Sequence, residues 1–273
     1  MTDIGQTFRE LHIKGQPFIL ANCWDRGSAL MLENLGAQAL ATSSAAYAFT
    51  LGRPDGGTVS RDESLAHAAD ILSVTTLPVQ GDFENGFGDD PDTCAETVRL
   101  AAEVGLAGIC IEDICFPAGT PYDFDLSVDR IRAAASAARA LPQDFVLTAR
   151  ADGVMTGGYD SDEALRRLLA FETAGADCLY APVLPDLATI KRVCAAAKAP
   201  VNVLVAGAMS AHSTDHFAQA GAARLSLGSS LARVTHAAIH DAAKTMFGAG
   251  SFDALKGAMS GDAVDHLLVQ NRK

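Results

Sequence analysis

Four times along this chain a helix-like stretch runs into glycine, a small residue and then an apolar run: ENLGAQALAT, AEVGLAGICIED, ETAGADCLYAP and AQAGAARLSLG. Glycine just past a helix takes the left-handed backbone that closes the last turn, and the apolar run beyond it reads as a buried strand. Each phrase is the helix-to-strand half of a βα unit. Parallel strands covered on both faces lose polar alternation and become continuous runs of Val, Ile, Leu and Ala, as these do.

With the runs that lack the phrase, the apolar segments are 18–22 (FILAN), 39–42 (ALAT), 77–83 (LPVQGDF), 107–113 (AGICIED), 145–152 (FVLTARAD), 177–183 (DCLYAPV), 199–205 (APVNVLV) and 223–228 (ARLSLG). Between them lie Ala-rich stretches such as 60–74, 92–105 and 126–141, with apolar residues at three-to-four spacing. Eight strands alternating with helices predict an α/β fold, a (β/α)8 TIM-type barrel, with an open doubly wound sheet as the structural rival. No linker-like or low-complexity segment interrupts the series, so residues 1–273 read as a single barrel domain. An additional C-terminal helix, SSLARVTHAAIHDAAKTMF, and a short tail follow, with an apolar face suited to packing on another subunit.

Composition narrows the partners. A hydrophobic fraction of 49% against 20% charged residues is that of a globular chain with a sizeable core. The 33 acids outnumber the 21 Lys and Arg, so the net charge of −12 argues against nucleic acid and against an anionic membrane surface. The N-terminal apolar run, Phe18 to Ala21, is too short for a signal segment or a spanning helix, which points to a cytoplasmic protein. The six cysteines form no CxxC pair and show no zinc-type His spacing, so they read as reduced thiols used in packing.

Chemistry in such barrels gathers where the βα loops converge, at the C-terminal ends of the strands. Asp82 and Glu84 end the third run, Glu112 and Asp113 the fourth, Arg150 and Asp152 the fifth, and Asp55 lies in the long loop after the second. Any one of these acids also reads as a solvated loop residue or a helix cap, and Glu-Asn-Gly is a turn signal in itself. Their shared position at strand ends is what favours a site. So many carboxylates around one arginine repel each other unless a cation offsets them, and hard oxygen donors suit Mg²⁺ or Mn²⁺.

The segments TSSAAYAFTLGRPDGG (42–57), GDFENGFGDDP (81–91), GICIED (108–113), LTARADG (147–153), PVNVL (200–204) and GAARLSLGSSLAR (221–233) together resemble the isocitrate lyase and phosphoenolpyruvate mutase superfamily, over roughly residues 15–245. The resemblance implies a barrel with Mg²⁺ at its mouth, assembled as a tetramer or dimer of dimers that exchanges its C-terminal segment, about 245–273 here. It implies that Asp82 is the direct metal ligand, with Asp55, Glu84 and Glu112 holding metal-bound waters. It further implies that Arg150 binds a carboxylate or enolate oxygen, that the backbone of Ser43, Ser44 and Ala45 receives a carboxylate, and that Asn202 meets the far end of larger substrates. Arg150, Glu112 and Asp55 are its catalytic candidates.

The chain departs from that pattern after the fourth strand. Lyases of the superfamily carry a Lys-Lys-Cys-Gly-His motif there and mutases a Lys and an Asn, whereas this loop reads EDICFPAGTPYDFDLSVDR. Cys115 reads as packing, Tyr122 and Asp123 as turn residues with proton transfer as the alternative, and Asp25 beside Trp24 as a helix cap. Tyr47 is expected to narrow the pocket, and the histidines, His67, His236 and His240 among them, read as surface or interface groups. LGSSLAR offers an anion site or an ordinary cap at the eighth strand.

The function expected is a Mg²⁺-dependent carbon–carbon lyase that acts on a small 2-oxo or 2-hydroxy di- or tricarboxylate through an enolate. Oxaloacetate decarboxylation is slightly preferred to methylisocitrate-like cleavage. The alternatives are phosphonopyruvate-type P–C chemistry and a non-catalytic 2-oxo acid binder.

Overall fold

In the computed structural model, which describes residues 3–269, the four glycines of the repeated phrase all take left-handed backbone: Gly36, Gly105, Gly175 and Gly221 have φ of +100°, +103°, +109° and +91°. The next residue's N–H reaches back over each glycine: Ala37 to the Leu32 carbonyl, Leu106 to Ala101, Ala176 to Phe171 and Ala222 to Phe217, at 3.0–3.1 Å. These bonds satisfy helix-end carbonyls and aim the chain into a strand.

Among the described residues eight parallel strands close into a barrel: β1 Phe18–Asn22, β2 Ala39–Ala41, β3 Val79–Asp82, β4 Gly108–Glu112, β5 Val146–Arg150, β6 Cys178–Tyr180, β7 Val201–Leu204 and β8 Arg224–Ser226. Closure is made by β1 pairing with β8, Phe18 opposite Arg224. The open-sheet rival is thereby excluded. The expected helices are Arg61–Leu72, Pro91–Val104 and Phe124–Arg139, and a short helix, Ser44–Thr50, follows β2. Asp25 caps helix Arg26–Asn34, as its position suggested.

Side chains such as Ile71, Val98, Ile131, Leu168, Phe171, Val193 and Phe217 fill the layer between strands and helices. The N-terminal end of the barrel is plugged by helix Ile4–Glu10, whose fully buried Phe8 packs edge-on against Phe18 and His12. Arg9 fixes that helix through Asp144 and Asp177, both at 2.7 Å. The opposite end stays accessible.

The C-terminal region is mostly exposed. Helix Ser230–Ala249 buries Ala232 alone of its twenty residues, while helix Gly261–Leu268 lies on helix Arg26–Asn34, where the Asn34 amide donates to the carbonyls of Leu267 and Val269 at 2.8 and 3.1 Å. Residues 270–273 of the segment expected to exchange lie outside the described residues. Among the described residues no helix is long and apolar enough to cross a membrane.

Candidate active site

Strand alternation places the site. On β3 to β5 every second side chain points into the barrel, giving Gln80 and Asp82, Cys110 and Glu112, and Thr148 and Arg150, while the residues between them pack outward. All of these inner side chains but Thr148 border a cavity of about 250 Å³. The nine residues to which the resemblance assigned a site role all border it: Asp55, Asp82, Glu84, Glu112 and Arg150 at the mouth, Ser43, Ser44 and Ala45 after β2, and Asn202 deeper down.

Arg150 is the hub. Its Nη1 donates to Asp82 Oδ1 at 2.9 Å, and its Nη2 lies 3.0 Å from Glu112 Oε2. Asp152, fully buried, holds it side-on through Nε at 3.1 Å and Nη2 at 2.6 Å, and the Tyr180 ring lies 5.1 Å from the guanidinium carbon. Burial works against the charge of Arg150, but Asp152, Glu112 and Asp82 outweigh it and raise the guanidinium pKa further. Arg150 is a permanent cation.

Asp82 is oriented from three sides. Ser44 donates both its N–H and its hydroxyl to Oδ2 at 2.9 Å, Cys110 Sγ lies 3.2 Å from Oδ1, and the Asp82 N–H donates to Thr42 Oγ1 at 2.8 Å. The Ser44 amide expected to receive a substrate carboxylate therefore faces a protein carboxylate here. Ser43 caps helix Ser44–Thr50 by accepting from the Ala46 N–H at 3.3 Å. Asn202 has both polar ends engaged, its amide donating to Ser226 Oγ at 2.8 Å and its oxygen accepting from Arg224 at 2.9 Å.

The other carboxyls carry an electrostatic penalty. Burial pushes Glu84 up to about 7, with Asp82 and Asp55 adding to the rise; it raises Glu112 well above the ordinary range; and it raises Asp55, which borders the cavity from an exposed loop, with Asp82 adding. Glu84 has φ +44°, a conformation that costs a non-glycine residue about 1–3 kcal/mol. It is held there by the Gly57 N–H on Oε1 at 3.0 Å and by the Glu112 N–H on its carbonyl at 2.9 Å.

Asp113, the second acid of the Glu-Asp pair, turns away from the cavity. It accepts from the Asp152 N–H at 2.8 Å, the Tyr159 hydroxyl at 2.7 Å and Arg167 at 2.9 Å, and so anchors the backbone that carries Asp152. The loop beyond it is a small ribbon, Ile114–Cys115 paired antiparallel with Thr120–Pro121. Tyr122 is buried, donates to Asp89 at 2.5 Å and accepts from Asn85 at 2.8 Å, and Asp123 starts the next helix, so neither borders the cavity. Cys115 is half-buried with its sulfur 3.8 Å from Asp89. Tyr47 stacks on His67 at 3.8 Å and also lies off the cavity, which overturns its expected narrowing of the pocket. The amides of Leu227 and Gly228, just past β8, donate to Asn22 Oδ1 at 2.8 and 2.9 Å, so these donors of the suggested anion site already have a partner.

Sequence reasoning missed the layer beneath the mouth: Gln80 and Arg224, which border the cavity, and Thr148 behind them, joined by Arg224 donating to Gln80 Oε1 at 2.7 Å and Thr148 Oγ1 at 3.1 Å. For Gln80 and Thr148 the signal was present as polar residues two positions before Asp82 and Arg150, in strands otherwise apolar. It was masked because buried parallel strands show no overall alternation.

A closed parallel barrel with a buried arginine and a cluster of carboxylates at the C-terminal ends of its strands has the layout of a barrel enzyme for small oxygen-rich ligands. The chain belongs to the phosphoenolpyruvate phosphomutase family, whose model matches residues 8–247, within the isocitrate lyase and phosphoenolpyruvate mutase superfamily. It is similar to a Burkholderia cenocepacia J2315 protein described in general terms as a lyase/mutase, at 44% identity and TM-score 0.92, covering 98% of this chain and 96% of that one. It is 31% identical to 2-methylisocitrate lyase of Escherichia coli K12 over 226 residues, 79% of this chain and 75% of that protein. A barrel at 24% identity, oxaloacetate acetylhydrolase with its product oxalate, shares the fold with TM-score 0.85, covering 97% and 94% of the two chains.

Proposed function

We propose that this chain is a divalent-metal-dependent lyase acting on a small 2-oxo or 2-hydroxy di- or tricarboxylate through an enolate. The observation that carries this reading is the charge imbalance of the cavity. Five carboxyls, Asp55, Asp82, Glu84, Glu112 and Asp152, line it against two arginines, Arg150 among them at the mouth and Arg224 beneath, and Glu112, Glu84 and Asp55 are displaced toward their protonated forms. A cation with a preference for oxygen relieves that repulsion.

Among the described residues no three His, Cys, Asp or Glu side chains are gathered to hold an ion directly. Mg²⁺ and Mn²⁺ keep several waters and need only one or two direct carboxylates. Asp82 would hold the ion, and Asp55, Glu84 and Glu112 would hold its waters. When bound, it would supply Lewis-acid stabilisation of a developing enolate.

The protein's own groups act around that charge. Arg150, fixed side-on by Asp152, presents a fixed cation to a substrate carboxylate or enolate oxygen, and preorganised charge of this kind requires no reorganisation as the bond breaks. The Ser44 N–H and hydroxyl keep Asp82 in place. The ribbon 114–121 brings no Lys or His to the mouth, so cleavage that leaves protonation of the enolate to solvent fits best. Decarboxylation of an oxaloacetate-like acid meets that condition, with retro-aldol cleavage of a methylisocitrate-like acid as the companion reaction; the Escherichia coli relative is named for the latter.

The test is pyruvate release from oxaloacetate, methylisocitrate and phosphonopyruvate with Mg²⁺, against enzyme-free controls. The expected result is pyruvate from one of the first two and a loss of about 100-fold or more in Asp82→Ala. Release from phosphonopyruvate alone would move the chain to P–C chemistry. Binding of 2-oxo acids without turnover would make it a binder, and full activity in Asp82→Ala would remove the metal role of that residue.

A further inference from the structure

The ribbon 114–121 puts one aromatic ring between two spaces. Phe116 borders the inner cavity of about 250 Å³, and it also borders a wider cleft of about 870 Å³ outside it, next to helices Arg61–Leu72 and Pro91–Val104. Glu84 is the other side chain common to both walls. The ring rests on Gly56 and Gly57, where a Cβ would stand 3.3 Å from Phe116 Cε1 and 2.8 Å from Phe116 Cβ respectively. Both glycines have positive φ, +87° and +70°, so the seat is shaped by backbone that other residues rarely adopt. The seat is also tied to the site, since the Gly57 N–H donates to Glu84.

We infer that Phe116 is the specificity-determining partition of the site, shutting the inner cavity off from the outer cleft and limiting the acid to a short chain that ends under its ring. This deepens the proposed lyase reading and rests on it for the 2-oxo acid class. The chemistry of the cleft sets what would enter if the partition were removed. Its described lining offers Val59 and Phe87 as apolar surface and Arg61 as its one cation, against Asp62, Asp89, Asp92 and Glu96. A second carboxylate would be repelled there. An alkyl extension would be accepted.

Calorimetric titration in Mg²⁺ with oxalate, pyruvate, 2-oxobutanoate, 2-oxopentanoate and 2-oxohexanoate tests this, comparing the natural chain with Phe116→Ala and Phe116→Trp. The readout is the Kd of each acid divided by that of oxalate, which cancels a general weakening of the site. Each methylene admitted to the cleft improves binding about fourfold, so the 2-oxohexanoate ratio is expected to fall at least about tenfold in Phe116→Ala. In Phe116→Trp the ratio rises, and that variant carries the test if the alanine form does not fold. Ratios that stay the same in the folded variants overturn the partition and leave the lyase reading standing. If no acid binds any of the proteins, both fall together.

Discussion

Glu84 shows how the site uses strain and burial together. Left-handed backbone turns its carboxyl toward Asp82 and Asp55, and burial raises that carboxyl to about 7 from an ordinary 4.5. In the metal-free protein the native state therefore holds a proton on Glu84 that the unfolded chain has released between these two values. Stability falls as pH rises through that window. The urea midpoint of metal-free protein is expected to drop from pH 5 to pH 8, and Glu84→Gln, which cannot ionise, is expected to flatten that drop. An equal drop in both proteins would mean that Glu84 stays in water. Asp82, Glu84 and Glu112 were readable as candidates because each stands at the end of an apolar run, whereas Asp55 lies in a loop. Their ranking was not, because Asp82, Glu84 and Asp113 differ only in what surrounds them once the strands are paired.

The link between helix Ser161–Ala174 and the site runs through Asp113. Arg167 on that helix donates to Asp113, to Ser127 Oγ and to the Tyr122 carbonyl at 2.9–3.0 Å, all out of solvent, and Asp113 in turn holds the Asp152 backbone. Asparagine at 113 would keep the size but lose a negative charge and an acceptor, leaving the Arg167 guanidinium only the half-buried Glu163 as ion partner. Asp113→Asn is expected to lower the unfolding free energy by about 3 kcal/mol in urea titration, with a fall in kcat because Asp152 no longer fixes Arg150. Loss of stability with kcat intact would separate Asp113 from the site. In the sequence Asp113 looked like part of the metal cluster, as strand alternation alone could have denied: it is adjacent to Glu112, so the two side chains face opposite ways.

The exposed face of helix Ser230–Ala249 bears on assembly. Val234, Ile239 and Phe247 stand out from it, Phe247 at 87% exposure, and Phe252 and Met259 extend the apolar surface. Exposed apolar area of this kind marks an interface, and the subunit assembly implied by the resemblance would cover it. Sedimentation of the full chain is expected to give an oligomer larger than a dimer, and Phe247→Asp is expected to shift it toward smaller species at micromolar concentration. A monomer in both would leave this face without a second copy.

What the chain carries locally was enough to derive the architecture. Glycine after four of the helices, continuous apolar runs and eight strand-like segments are properties of neighbours in sequence, and backbone sterics translate them directly into βα units. The same local reading put the acids at the catalytic end, since strand direction follows chain direction. Only tertiary structure decided which acid faces Arg150, which one supports it from behind, that Arg224 lies beneath the site, and that Phe116 stands between cavity and cleft. Those outcomes depend on distances between residues dozens of positions apart, set by barrel closure and register; strand alternation gives a side chain's face but not its partners.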